Sequence, residues 1–167
     1  NLKAFIDYAE KRSTKSNKHY YRVVVFKLLL ATGCRIGELT ALEWSDIDLK
    51  EKTITISKTY SQEIRMIGET KTKAGTRKIS IDPKTTLMLR QYQNRQRLMF
   101  LEVGARAPSV VFATTVRDYL PRHSLQQIID KRCETVGIPR FTCHAFRHTH
   151  ASLLLNAGIS YKELQYR

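Results

Sequence analysis

His144 and Arg147, three residues apart in otherwise apolar helical sequence, could bind an anion. Arg35 lies in a second such segment much earlier in the chain, just after Gly33. Two guanidinium groups and an imidazole that converge on one point can neutralise a single anionic group, because arginine and helix N-termini both favour phosphate. The chain carries 29 Lys and Arg against 15 Asp and Glu, a formal net charge of +14. We therefore expect the anion to be a nucleic-acid phosphate.

The same arginines also have purely structural interpretations. A buried Arg147 could pair with an Asp or Glu inside the protein, and its helix alone does not decide between this and anion binding. Arg35 and Glu38 lie three residues apart on one helical face, which predicts an ion pair. That pair is either a surface contact that adds almost nothing to stability, or an arrangement in which the carboxylate orients a phosphate-binding arginine. Taken alone, this spacing favours the surface pair.

A run of cations lies at a tight turn, in the segment Lys71-Thr72-Lys73-Ala74-Gly75-Thr76-Arg77-Lys78. Such a run is usually a solvated loop, but it could also enter a groove and present one lysine to a leaving oxygen. The predicted helix that follows carries Arg90, Arg95 and Arg97, which indicate backbone contacts rather than catalysis. The residues assigned to contacts with a DNA backbone are Lys73, Arg77, Lys78, Arg90 and Arg95.

His144 and His148 are four residues apart, with Cys143 and His150 close by, so a metal site is the competing use of these side chains. The pair lacks the glutamate of a His-Glu-x-x-His motif and a compact third ligand. A phosphate-binding glycine loop is also missing from the sequence. We therefore predict neither a metal nor another cofactor.

Length and composition indicate one domain in a reducing compartment. A chain of 167 residues with 42% apolar content can bury a core. Its three cysteines are odd in number and far apart, which argues against a disulfide or zinc framework and favours the cytoplasm. No run approaches the ~20 apolar residues of a membrane span. Positive charge spread along the whole chain favours a nucleic-acid-binding surface over a membrane anchor.

Apolar periodicity and capping residues predict an α+β domain, mainly α-helical, with a small three-stranded antiparallel sheet. Gly33 ends one helix and Asp82-Pro83 starts another. Apolar residues on two faces of the helix after Cys143 predict that it is buried on most sides. The predicted helices are Leu2–Glu10, Tyr20–Thr32, Ile36–Leu42, Pro83–Glu102, Leu125–Val136 and Cys143–Asn156. The predicted strands are Thr53–Ser57, Ile64–Ile67 and Arg77–Ile81, with turns at Asp46-Ile47-Asp48 and Ala74-Gly75.

The last segment predicts another helix. Ser160 and Glu163 have the spacing of a capping box, with Ile159 and Leu164 at the flanking apolar positions. The helix would begin at Tyr161, and the sequence ends before it completes two turns. Because so short a helix is not stable without more chain or packing, we expect the chain to be a fragment.

Three segments together resemble the catalytic domain of the tyrosine recombinases, in particular the integrases of phages and integrative elements. Thr32-Gly33-Cys34-Arg35-Ile36-Gly37-Glu38-Leu39 is similar to the family's first arginine motif. Glu69-Thr70-Lys71-Thr72, before a β-turn, resembles its hairpin lysine motif, and His144-Ala145-Phe146-Arg147-His148-Thr149 resembles its His-x-x-Arg motif. Three motifs in the right order along nearly the whole chain are specific, and they imply the tyrosine recombinase catalytic-domain fold.

The resemblance implies a reaction and a set of site residues. A tyrosine hydroxyl attacks a phosphodiester of double-stranded DNA to form a 3′-phosphotyrosyl link, and a second strand's hydroxyl reverses the step without a cofactor. The implied catalytic residues are Arg35, Lys71, His144 and Arg147, supported by Glu38 and His148. The arginines and the histidine would stabilise the phosphorane, and Lys71, or Lys73 if the hairpin register shifts, would protonate the leaving oxygen.

The family's nucleophilic tyrosine would lie beyond residue 167, and Tyr161 and Tyr166 lie too early for that role. We expect residues 1–167 to form a catalytic domain that lacks the N-terminal DNA-binding domains, binds DNA weakly and does not cleave it. The full protein would act as a homotetramer on attachment-site DNA, and the chain alone would be a monomer. The alternatives are a non-catalytic DNA-binding module and a type IB topoisomerase-like enzyme, which would relax supercoils.

Overall fold

The computed structural model describes residues 1–14, 16–61, 66–69, 76–113, 120 and 122–160. The helices are α1 (Leu2–Ser13), α2 (Asn17–Thr32), α3 (Ile36–Thr40), α4 (Pro83–Glu102), α5 (Arg122–Val136) and α6 (His144–Asn156). The strands are β1 (Ile47–Asp48), β2 (Thr53–Ile56), β3 (Lys58–Ser61), β4 (Met66–Glu69) and β5 (Arg77–Ser80). The predicted α+β, mainly helical class is confirmed. In these ranges no helix is both long and apolar enough to cross a bilayer.

Local signals start and end several helices where the sequence predicts. The side chain of Asp82 accepts hydrogen bonds from two backbone N–H groups in the first turn of α4. Gly33, with φ of +62°, closes α2 in the left-handed conformation. Fewer residues separate the first two helices than the sequence predicts, because α1 continues to Ser13 and Ser16 caps α2.

The three-stranded sheet differs in composition from the predicted one. Its order is β1-β2-β5, with antiparallel pairing throughout. The predicted turn Asp46-Ile47-Asp48 supplies β1, because Ile47 is buried and pairs with Ile54 of β2. The predicted strand Ile64–Ile67 overlaps β4 instead, which pairs with β3 in a separate two-stranded sheet. The predicted turn at Ala74-Gly75 lies outside the described residues.

An aromatic cluster joins three of the helices. The rings of Phe26 on α2 and Phe146 on α6 stack with centroids 5.5 Å apart and planes 10° apart. Phe5 of α1 packs edge-on against both rings, at 5.0 and 6.1 Å. All three side chains are fully buried, so they contribute both apolar area and the geometric preference of aromatic pairs. The cluster holds α6 against α2.

The helix after Cys143 is α6, and the prediction that it is buried on most sides is wrong. Phe146 and His150 of α6 are buried, whereas His144 and His148 are exposed and Leu153 is 54% exposed. The reason is that α6 packs mainly on α2, which covers one face of it. The first-turn side chains of α6 are therefore accessible to a ligand.

Candidate active site

Two hydrogen bonds fasten α6 to the end of α2. Nη1 of Arg147 donates to the carbonyl oxygen of Gly33 at 2.6 Å. Nδ1 of His150, about one turn further along α6, lies 2.8 Å from the carbonyl oxygen of Leu30. Because a carbonyl oxygen only accepts, Nδ1 carries the proton and donates it. Arg147 is thereby held beside the turn that leads to Arg35.

Gly33 in this turn and Gly37 in α3 are required for different reasons. A Cβ at Gly33 would lie 2.4 Å from a ring carbon of His150, and its φ of +62° also favours glycine. A Cβ at Gly37 would lie 2.7 Å from the hydroxyl oxygen of Thr59. The first glycine lets α6 approach α2, and the second lets α3 approach β3. Together they set the position of the segment that carries Arg35.

Two arginines converge on the carboxylate of Glu38, whose side chain is only 2% exposed. Arg35 donates its backbone N–H to Oε2 at 2.8 Å and its Nη1 to Oε1 at 3.2 Å. Arg77 donates Nη1 to Oε1 at 3.1 Å and Nη2 to Oε2 at 2.8 Å. The predicted Arg35–Glu38 ion pair is therefore confirmed. Its carboxylate is buried instead of lying on the surface.

The structure places Arg77 differently from the sequence analysis, which assigned it to the DNA backbone. Its side chain is 8% exposed and its guanidinium lies against Glu38. The cause is the alternation of β5, in which Arg77 shares a face with the buried Ile79 while Lys78 points to solvent. Sequence reasoning missed the contact because no local spacing links residues 38 and 77, although the alternation was a usable signal.

The charges in this cluster shift one another's pKa. Burial raises the pKa of Glu38, but the hydrogen bonds from Arg77 and from the backbone of Arg35 outweigh it, so the net pKa lies below its usual value. Burial lowers the pKa of Arg147, and the nearby charges of Arg35 and Arg77 lower it further. Burial raises the pKa of the Cys34 thiol to about 11, so this sulfur is neutral and not a nucleophile. The site thus contains a buried carboxylate, that of Glu38, which orients the guanidinium groups of Arg35 and Arg77. Arg147 adds further positive charge beside them.

Arg35, His144 and Arg147 line one cavity of about 670 Å³. The side chain of Arg35 is 62% exposed, so its guanidinium can reach a ligand there. The remaining lining residues are Cys34, Ile36, His123, Gln126, Asp130, Arg140, Phe141, Thr142 and Cys143. Among the described lining residues there are three arginines and one carboxylate, which favours an anion as the guest.

Gln126 of α5 fixes the segment that leads into α6. Its Nε2 donates to the carbonyl oxygen of Phe141 and to Oδ1 of Asp130, both at 2.9 Å. Its Oε1 accepts the backbone N–H of Cys143 at 3.2 Å. Because Cys143 directly precedes His144, this amide helps to set where the histidine lies. The sequence contains no local signal for this contact, since the partners come from different segments.

Two predicted site residues, Lys71 and Lys73, lie outside the described part of the chain. Tyr161 and Tyr166, which the sequence analysis rejected as nucleophiles, lie outside it as well. Lys78, Arg90 and Arg95 are exposed and do not line the cavity. His148 is also exposed, and its ring centroid lies 5.3 Å from that of His144. Over the ranges that the structure describes, no group of three or more His, Cys, Asp or Glu is arranged to hold a metal ion.

These six helices with their small antiparallel sheets have the fold of a tyrosine recombinase catalytic domain. The chain superposes on the integrase of the Tn1549 transposon, in a structure with transposon right end DNA, with a TM-score of 0.80. That match covers 99% of this chain and 54% of the other, at 22% sequence identity. The sequence matches the phage integrase family over residues 1–167, and the chain belongs to that family. The resemblance inferred from the three motifs is therefore confirmed.

Curated relatives agree with this assignment. The chain is 28% identical to a XerC-like tyrosine recombinase of Caldanaerobacter subterraneus subsp. tengcongensis, over 96% of this chain and 45% of the relative. It is 29% identical to the ICEBs1 integrase of Bacillus subtilis, over 85% of this chain and 39% of the relative. The chain thus spans less than half the length of these relatives.

Proposed function

We propose that this chain is the catalytic core of a site-specific recombinase that integrates or excises a mobile element by cleaving and rejoining double-stranded DNA. The observation that carries the proposal is the joint lining of one cavity by Arg35, His144 and Arg147, which come from distant segments. The names of the relatives, which are integrases and tyrosine recombinases, support the same reaction.

The cavity suits the transition state of phosphoryl transfer. A phosphorane carries more negative charge than the phosphodiester from which it forms, and fixed donors stabilise that extra charge. Arg147 is held by the Gly33 carbonyl and Arg35 by Glu38, so both guanidinium groups are oriented before DNA binds. His144, in the first turn of α6, supplies a third donor, and the N-terminus of the helix favours the same anion.

The remaining groups complete the reaction. A tyrosine beyond residue 167 attacks phosphorus through its phenolic oxygen, and the bond from phosphorus to the 5′-oxygen breaks. Lys71 gives the 5′-oxygen its proton, with Lys73 as the alternative donor, and the 5′-hydroxyl of a second strand later reverses the step. No cofactor is needed, because the energy of the broken bond is kept in the phosphotyrosyl link.

Other residues support DNA binding and assembly. His148 would assist His144, and Lys78, Arg90 and Arg95 would contact phosphates outside the cavity. The whole protein would assemble as a homotetramer on its attachment sites, in the cytoplasm where that DNA lies. Arg77 is better assigned to holding Glu38 than to the backbone, since its side chain is 8% exposed.

Covalent capture of a nicked suicide substrate tests the proposal in a version of the protein extended through the family's tyrosine. We expect Arg147→Lys to slow capture by about 10²–10³-fold, with DNA affinity nearly unchanged, because lysine cannot reproduce the two-pronged contact. Arg106→Lys makes the same exchange at an exposed position outside the cavity and should leave capture unchanged. A folded, extended protein that forms no adduct would refute the assignment.

Two further assays separate the alternatives. A substrate whose 5′-bridging oxygen is replaced by sulfur needs no acid, because a thiolate leaves unprotonated. It should therefore rescue Lys71→Ala, and rescue of Lys73→Ala instead would move the acid to that residue.

A topoisomerase-like enzyme would relax supercoiled DNA without joining two specified sites. A DNA-binding module would form no covalent link and would lose affinity uniformly when its cations are removed.

A further inference from the structure

A second cavity, of about 540 Å³, lies between three helices. It is bounded by α1, by α5 and by the first turns of α2. We name it the basic pocket, after Arg12, Arg22, Lys131 and Arg132, which line it. Its lining, over the residues that the structure describes, includes no Asp or Glu and none of the residues that line the candidate active site. The two cavities use different stripes of α5, so they are separate sites.

Arg132 is the deepest charge in the basic pocket. Its residue is 6% exposed, and Nη1 and Nη2 have no hydrogen-bond partner among the described residues. The guanidinium carbon lies 5.1 Å from the ring centroid of Phe26 and 5.8 Å from that of Phe5. Aromatic faces attract a cation but provide no counter-charge, and a buried charge normally has a paired and hydrogen-bonded partner.

The neighbouring arginines add charge without supplying a counter-ion. Arg22 makes no hydrogen bond and no ion pair with any described residue. Arg12 donates Nη1 to the hydroxyl of Tyr8 at 3.3 Å, and its Nη2 lies 3.1 Å from Nε2 of His19. Neither of these partners is a carboxylate. Burial lowers the pKa of Arg132 to about 10, and the charge of Arg22 contributes to that shift, so these cations repel one another.

The backbone of α2 increases the positive potential. His19 and Arg22 lie in its first two turns, and no acidic residue occupies its first turn. The N-terminal end of a helix carries a partial positive charge that acidic side chains usually offset. Here the cation Arg22 follows in the second turn, so the pocket combines side-chain and helix-end charge of one sign.

We propose that the basic pocket binds a phosphate group, with the Arg22 and Lys131 side chains contacting its oxygens and Arg132 neutralising its charge from beneath. A phosphate offers several acceptor oxygens to several donors at once, which matches this lining better than a single carboxylate does. The group comes either from a DNA backbone or from a small phosphate compound, since both present the same oxygens. The proposal stands independently of the recombinase chemistry, because none of the catalytic residues takes part.

Titration of inorganic phosphate into the full chain by isothermal calorimetry tests the proposal, with sodium chloride at equal ionic strength as the reference. We expect saturable binding that Arg22→Gln and Arg132→Met each weaken by at least about tenfold, the effect of losing one charge-assisted contact. In Arg132→Met, methionine keeps apolar volume between the phenylalanine rings. In Arg22→Gln, the replaced side chain is only partly buried, so at least one of the two variants should fold.

Lys3→Gln is the matched control, because it removes one positive charge from an exposed position on α1. Lys3 and Arg12 are nine residues apart, so they lie on opposite faces of that helix. Phosphate binding should be the same in Lys3→Gln as in the unchanged chain. Equal weakening in the control would mean that net charge alone attracts phosphate and would overturn the proposal.

The salt dependence of DNA binding identifies the source of the phosphate. Each neutralised DNA phosphate contributes about 0.9 to the slope of log affinity against log salt concentration. If the pocket binds the DNA backbone, Arg22→Gln makes that slope shallower by about one phosphate equivalent and Lys3→Gln does not. If it binds a small phosphate compound, the slope is unchanged while inorganic phosphate still binds. No phosphate binding together with an unchanged slope would refute the site.

Discussion

The two terminal nitrogens of Arg77 each donate a hydrogen bond to a different carboxylate oxygen of Glu38, at 3.1 and 2.8 Å. Both side chains are almost completely buried, at 8% and 2% exposure. The same carboxylate also accepts two hydrogen bonds from Arg35. Arg77 therefore positions Arg35 through Glu38, and a strand residue controls the geometry of a cavity that it does not line.

Removing one partner of this buried pair should destabilise the fold. We expect Arg77→Met to lower the free energy of unfolding by about 3 kcal/mol, because it leaves a buried carboxylate with one arginine instead of two. Urea denaturation measures the loss. The double variant Arg77→Met with Glu38→Gln removes both charges and should lose less than the sum of the two single variants. Additive losses would show that the two side chains are not energetically coupled.

The lowered pKa of Glu38 predicts a pH dependence of stability. A carboxyl whose pKa is lower in the folded than in the unfolded chain stabilises the fold above its unfolded pKa, about 4.3. That contribution disappears as the pH falls through the folded pKa. The difference in unfolding free energy between the unchanged chain and Glu38→Gln should therefore narrow on going from pH 7 to pH 3. A difference that is constant over this range would contradict the lowered pKa of Glu38.

Gly33→Ala should destabilise the junction between α2 and α6. The left-handed conformation costs a non-glycine residue roughly 1–2 kcal/mol, and overpacking against the His150 ring adds about 1–3 kcal/mol. The summed loss can be measured by urea denaturation. Gly158→Ala is a useful control, because Gly158 also has a positive φ but no atom of the described residues lies within 4 Å of its added Cβ. It should show the conformational cost alone.

A double variant isolates the steric part of that loss. His150→Ala removes the ring that lies 2.4 Å from the added Cβ. Gly33→Ala should therefore cost less in the His150→Ala background than in the unchanged chain. The gap between the two costs is the interaction energy of the pair. An equal cost in both backgrounds would mean that the ring moves away freely.

Gln126→Leu should loosen the start of α6. It leaves the N–H of Cys143 and the carbonyl of Phe141 without the hydrogen bonds that Gln126 provides, at about 1–3 kcal/mol for each unsatisfied group that stays buried. Hydrogen exchange at the Cys143 amide should accelerate, and capture of the suicide substrate should slow through the displaced His144. Asn94→Leu, which replaces an exposed amide of α4 that lines neither cavity, is the control for both measurements. Unchanged exchange in Gln126→Leu would contradict the positioning role.

Local patterns predicted the elements of this fold better than the way they combine. The N-cap at Asp82, the C-cap at Gly33 and the Arg35–Glu38 pair are all present, because each depends on residues within one turn of one another. Strand pairing was predicted less well, and Ile47 entered the sheet where a turn was expected. Two-residue strands leave too little alternation to recognise in a sequence.

The sequence by itself determined the helical class, the basic character and the three motifs that identified the family. Only the tertiary structure decided that Arg77 holds Glu38 and that Gln126 sets the start of α6. It also decided that Arg132, whose terminal nitrogens have no hydrogen-bond partner among the described residues, faces the basic pocket. The physical reason is distance along the chain. A cap or a helical ion pair is fixed by neighbours in sequence, whereas a buried contact between distant segments is fixed by how whole elements pack.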